Sequence, residues 1–154
     1  MARSTFVYVT YIRTTPERLW SALTDDAEFM KQYWFGVRCD SAWKPGSPWR
    51  MLYPDGRVID SGEIVEAEPP RRLVIRWRNE FRPELKAEGF SRCTMSIETA
   101  EYYPGMGGTA VKLTIQHEIE GTGGKFIEAV SGGWPKVISN LKSYLETGDV
   151  AFKE

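Results

Sequence analysis

The residue in this sequence with the most chemical scope is its lone histidine, His117. Residues 109–119 alternate, with Val111, Leu113, Ile115 and His117 on one strand face and Lys112, Thr114, Gln116 and Glu118 on the other, so the imidazole belongs to the apolar face. With a reference pKa of about 6.5, it can orient a ligand or exchange a proton there, or it can be a satisfied core histidine. The second reading is the commoner one, and no Ser, Cys or Asp stands at a spacing that suggests a triad. Asp60, between Ile59 and Ser61, shares a strand face with Gly62 and Ile64. Turned inward, it needs a partner such as His117 or an arginine; turned outward, it is solvated.

The two cysteines, Cys39 and Cys93, are far apart and lack metal-type spacing, so they read as free, buried small hydrophobes. The stretches 105–108 and 121–124 are glycine-rich but lack the Gly-Lys-Ser/Thr ending that grips phosphate and metal, and they read as turns. No catalytic residue, metal ligand or cofactor is assigned on these grounds. Twenty basic and 21 acidic side chains leave a net charge of −1, which gives no field favouring nucleic acid or an anionic membrane. There is no apolar run long enough to span a bilayer and no secretory leader at Met1, so a cytoplasmic protein is expected. Arg71, Arg72, Arg76 and Arg78 form a small basic patch that an acidic protein surface could meet, although Glu66, Glu68 and Glu80 lie close in sequence and a solvated face is the usual outcome. Oligomeric state is not encoded in any of these patterns.

These side chains are positioned by elements that the sequence punctuates clearly. Phe126, Val130, Trp134, Val137, Leu141 and Leu145 recur at helical spacing and define one apolar stripe, with Gly148 placed for a left-handed C-cap. Pro135 lies inside this pattern, so a kink or break is expected near residues 132–135, and two helical segments. Next to Gly132 and Gly133, that turn is where the helix would yield to admit a ligand. Residues 5–13 read as a strand buried on much of both faces. Residues 14–17 read as a capped helix start, with Glu17 in capping-box spacing from Thr14, and Asp25-Asp26 as a second start. Short strands follow at 37–43, 49–53, 58–68, 72–78, 91–103 and 109–119, with a longer loop at 79–89 able to serve as a lid. With strands polar on one face, the other face must be covered, and only the last helix is long enough. A single domain over residues 1–154 is expected.

Thr-Pro-Glu-Arg-Leu-Trp at 15–20, Ala-Leu-Thr-Asp at 22–25, Gly62-Glu63-Ile64, Pro69-Pro70-Arg71-Arg72-Leu73, and Gly133-Trp134 through Gly148, in this element order, resemble the START-like (SRPBCC) superfamily. Within it, the sequence is most similar to the group related to the C-terminal domain of the activator of heat-shock-protein-90 ATPase. The resemblance covers about residues 6–148 and implies an α+β helix-grip fold: a curved antiparallel sheet wrapped around a long C-terminal helix, with two short helices after the first strand and a cavity between sheet and helix. On that implication Trp34, Met51, Asp60, Ile75, Trp77, Met95, His117, Phe126, Val130 and Trp134 would contact a small apolar molecule, with His117 as polar anchor; periodicity alone favours an ordinary packed core. Three functions follow from the resemblance: binding of a small hydrophobic or aromatic ligand, regulation of a chaperone through the outer surface, or cyclase/aromatase chemistry on a polyketide-like substrate through His117 and Asp60. The chaperone reading is weakened because no stretch corresponds to the extra N-terminal domain of the full eukaryotic activator.

Overall fold

Alternation of apolar and polar residues makes a strand two-faced, and seven such strands here pair into one antiparallel sheet. The computed structural model describes residues 3–105, 109–121 and 124–153. The expected glycine turns at 105–108 and 121–124 lie partly outside the described residues. Strands β1 (Arg3–Ile12), β2 (Arg38–Ser41), β3 (Pro48–Leu52), β4 (Val58–Glu68), β5 (Arg72–Asn79), β6 (Ser91–Glu101) and β7 (Thr109–Glu120) are ordered β1-β7-β6-β5-β4-β3-β2. Helices α1 (Pro16–Leu23) and α2 (Ala27–Tyr33) follow β1, α3 (Pro83–Lys86) lies between β5 and β6, and α4 (Lys125–Thr147) closes the chain. This is the α+β helix-grip architecture that the resemblance implied.

The stripe on α4 is buried as its spacing requires: Phe126, Trp134, Val137 and Leu141 are core residues, and Val130 and Leu145 pack against the core. Gly148 takes φ 82° and donates its N–H to the Tyr144 carbonyl, the expected left-handed cap. The expected break does not occur. Helix α4 runs continuously through Pro135, although Ser131 loses the donor that Pro135 cannot supply. Packing of a 23-residue helix against the sheet outweighs one missing hydrogen bond, and Gly132 and Gly133 have open space where a Cβ would stand.

Two further expectations are corrected. Strand β1 is half-buried on one face, with Ile12 alone fully buried; it is an edge strand, and its other face leaves Val7, Val9 and Tyr11 exposed. At the first helix the cap is Thr15, whose side chain accepts from the Arg18 N–H with Pro16 in the first turn, so the Thr14–Glu17 capping box does not form. The 79–89 loop makes contacts at several points. It contains α3, buries Leu85, and its Glu88 carboxylate accepts the backbone N–H groups of Lys125 and Phe126, serving the α4 N-terminus that Gly124 cannot cap.

Candidate functional site

Strand register places the inner-face side chains in rows. Met51, Asp60 and Asn79 pair across β3, β4 and β5, and the next row is Trp49, Gly62, Trp77 and Ser91. Gly62 matters in that row, because a Cβ there would lie 1.6 Å from the Arg76 carbonyl oxygen, so no other residue fits its backbone. The indoles of Trp49 and Trp77 meet across it with ring centres 4.5 Å apart. Ile75, Cys93 and His117 form the following row, and Leu73, Met95 and Ile115 the one after.

Between the first of these rows and α4 lies a hollow of about 170 Å³. Met51, Asp60, Trp77 and Asn79 line it from the sheet, Trp34 from the end of α2, and Leu85 from α3. Helix α4 contributes Phe126, Ala129, Val130, Gly133, Trp134 and Val137, which all fall on one helical face. Trp34 is held by Asn140 of α4, whose amide donates to the adjacent Tyr33 carbonyl at 3.3 Å. A Cβ at Gly133 would meet nothing within 4 Å, so the absent side chain is itself part of the space.

Of the expected wall residues, Trp34, Met51, Asp60, Trp77, Phe126, Val130 and Trp134 border the hollow. Ile75, Met95 and His117 do not; they are packed into the core behind it. Asn79, Leu85, Ala129, Gly133 and Val137 also border it and were missed. The α4 members could have been found from their spacing with Phe126. Asn79 and Leu85 offered only a polar residue at a strand end and a lone leucine in a polar loop.

His117 is fully buried. The Trp134 indole N–H can only donate, and it lies 3.1 Å from His117 Nδ1, so that nitrogen accepts and Nε2 carries the proton. Nε2 lies 2.8 Å from Ser91 Oγ, whose hydroxyl donates to the Trp77 carbonyl. Both ring nitrogens are therefore used. Burial pushes the imidazole pKa down to about 3, so the ring is neutral and acts as a bracket for Trp134.

Asp60 is the opposite case. It is 6% exposed and faces the hollow, and its partners are neither His117 nor an arginine. Oδ2 accepts from Trp77 Nε1 at 2.9 Å and Oδ1 from Asn79 Nδ2 at 2.6 Å. Asn79 is oriented for this because its own oxygen accepts the backbone N–H groups of Phe81 and Arg82. Burial pushes the carboxyl pKa up to about 7, against the pull of those two hydrogen bonds, and the nearby charge of Glu80 adds to the rise. Cys39 and Cys93 are free and buried, their thiols pushed up by burial, and no metal-type cluster occurs among the described residues.

The expected basic patch divides on the outer face. Arg72 pairs with Glu66, and Arg78 with Glu80. Arg76 and Arg92 are register partners with no carboxylate within ion-pair distance among the described residues, and Arg76 lies 3.7 Å over the Phe90 ring.

A sequence profile of the family described as "Activator of Hsp90 ATPase homolog 1-like protein" matches residues 13–146. The chain belongs to that family. No curated protein matches it significantly. Among solved structures, this member of the activator-homologue family is similar to the Aha1 dimer from Colwellia psychrerythraea: TM-score 0.71, 17% identity, covering 94% of this chain and 98% of that one. It is also similar to an HSP90 activator from Plasmodium falciparum: TM-score 0.68, 20% identity, covering 92% and 95%. A third similar structure is CalU16 from Micromonospora echinospora: TM-score 0.68, 19% identity, covering 94% and 77%. At these identities the similarity carries the fold. No described helix is long and apolar enough to cross a membrane.

Proposed function

We propose that this domain binds a small hydrophobic or aromatic molecule in the hollow between the sheet and α4. The observation that carries the reading is the lining: three indoles, a phenyl ring and aliphatic side chains around one buried carboxylate. Size narrows the class. Drug-sized ligands occupy roughly 300–1,000 Å³, whereas an apolar cavity of about 150 Å³ holds benzene, so a space of about 170 Å³ suits a single ring or a short branched chain. Native mass spectrometry of the purified protein and tryptophan-fluorescence titration with one-ring compounds test it. Saturable quenching that disappears in Gly133→Leu, where the new side chain fills the space, is the expected result. Absence of both a retained molecule and saturable binding would overturn the reading.

A second reading, regulation of an Hsp90-type chaperone, draws support from the family description and from the paired-strand Arg76 and Arg92, which make no ion pair among the described residues and suit an acidic protein surface. Any ATP turnover would belong to the partner. Pull-down with the chaperone and its ATPase rate are the measurements. Loss of an observed association in Arg76→Glu/Arg92→Glu supports this reading, and no association of the wild-type protein removes it.

A further inference from the structure

Asp60 is a buried carboxylate supplied with two neutral hydrogen-bond donors and no cation. No lysine, arginine or histidine among the described residues borders the hollow it faces. Burying a carboxylate away from any positive charge is costly, and such groups are normally ion-paired or ligated. Each Asp60 oxygen accepts one hydrogen bond in the structure, which leaves acceptor capacity on both.

The aromatic walls have a matching property. Trp34 meets Trp134 edge-on, with ring centres 5.4 Å apart at 60°, and Trp77 meets Trp134 at 5.7 Å and 69°. Rings set at such angles form the sides of a cage rather than a stack. Indole faces carry the negative part of the ring quadrupole and attract desolvated cations, so cages of this kind suit ammonium groups. The orientations are fixed by hydrogen bonds already described: His117 holds the Trp134 N–H, and Asp60 holds the Trp77 N–H.

We infer that the molecule taken up by this hollow is a small organic cation, a protonated amine on a single ring or short branched chain, with its nitrogen at Asp60 and its carbon body against Trp34, Trp77 and Trp134. This rests on the ligand-binding reading above and adds the missing counter-charge to it. A charge-assisted hydrogen bond to a desolvated carboxylate, plus cation–π contact, favours the cation over a neutral molecule of the same shape.

The charged and titratable surroundings of Asp60 are few. Cys39 on β2 is a thiol held neutral by burial, and Glu80 after β5 is paired with Arg78 and Lys86. His117, behind Trp77, is neutral, and the residues that α2, α3 and α4 present to the hollow carry no titratable group. The pH dependence of cation binding therefore reports on Asp60 itself. A cation needs the ionised carboxylate, so affinity rises as pH rises through about 7 and levels off above it.

The test is a set of titrations with benzylamine, benzyl alcohol and toluene, which share one ring and differ at one group, on wild-type protein and Asp60→Asn at pH 5.5 and 8. The expected result at pH 8 is wild-type binding of benzylamine at least about tenfold tighter than of benzyl alcohol. That preference should shrink at pH 5.5, where the amine is still protonated but Asp60 is not ionised, and vanish in Asp60→Asn. Binding of toluene by Asp60→Asn would show that the variant retains the hollow, and the wild-type pH comparison stands without any variant. Equal affinity for the three compounds, or an amine preference unchanged in Asp60→Asn, overturns the cation inference and leaves the apolar ligand reading in place. No binding of any compound removes both.

Discussion

Two buried titratable groups sit on either side of Trp77 and teach opposite lessons. The His117 ring lies 5.0 Å from the Trp77 ring and is tilted 59° to it, both its nitrogens are occupied, and burial keeps it neutral. Asp60 accepts the Trp77 N–H, borders open space, and is raised toward neutral pH by the same burial. Burial acts alike on both, disfavouring the charged form; the difference lies in what surrounds each. A closed hydrogen-bond chain makes the histidine structural. The carboxylate instead borders a hollow with no counter-charge among the described residues of its wall.

The largest expected effect separates the two directly. His117→Ala leaves a cavity, strands the Trp134 N–H and removes the donor to Ser91 Oγ, so denaturant unfolding should show a loss of about 3 kcal/mol or more. A smaller loss would mean that the chain through His117 is not what fixes Trp134.

The pH dependences should have opposite signs. The His117 pKa drops from 6.5 in the unfolded chain to about 3 in the fold, so its contribution to stability is present above 6.5 and is lost as pH falls toward 3. Asp60 rises from 3.8 to about 7, so its contribution is present below 3.8 and is lost as pH rises through 7. Stability measured from pH 4 to 7 should therefore show wild type gaining on His117→Gln with rising pH and losing ground to Asp60→Asn. Parallel slopes for the two variants would break the contrast.

Smaller effects sharpen the outline of the hollow. Gly132→Ala and Gly133→Ala each replace a mid-helix glycine where a Cβ meets nothing within 4 Å, so each should stabilise the fold by about 1 kcal/mol. Only Gly133 borders the hollow, so only Gly133→Ala should also weaken ligand binding, as read by the same fluorescence titration. The smallest change is expected on the outer face. Arg76→Glu should alter thermal stability by no more than about 0.5 kcal/mol, because Arg76 is exposed and makes no ion pair among the described residues.

Local chemistry was legible wherever a pattern repeats within one element. The α4 stripe, the Gly148 cap, and the inward faces of β5, β6 and β7 all follow from residues a few positions apart. The break expected at Pro135 does not form, because the packing of a whole helix outweighs the rule for a single residue. The partners of Asp60 were misread for a related reason. Asn79 lies 19 residues away and meets it only through β4–β5 pairing, which nothing local to Asp60 encodes.

Side-chain period and burial tendency are local properties, and they suffice to turn His117 toward the core, to lay the last helix over the sheet and to gather large aromatic rings between them. Only the tertiary structure decided which buried polar group is closed off and which is left facing space. That depends on strand register, on the approach of β4 to β5 at Gly62, and on the space that Gly133 leaves in the wall of the hollow that Asp60 borders.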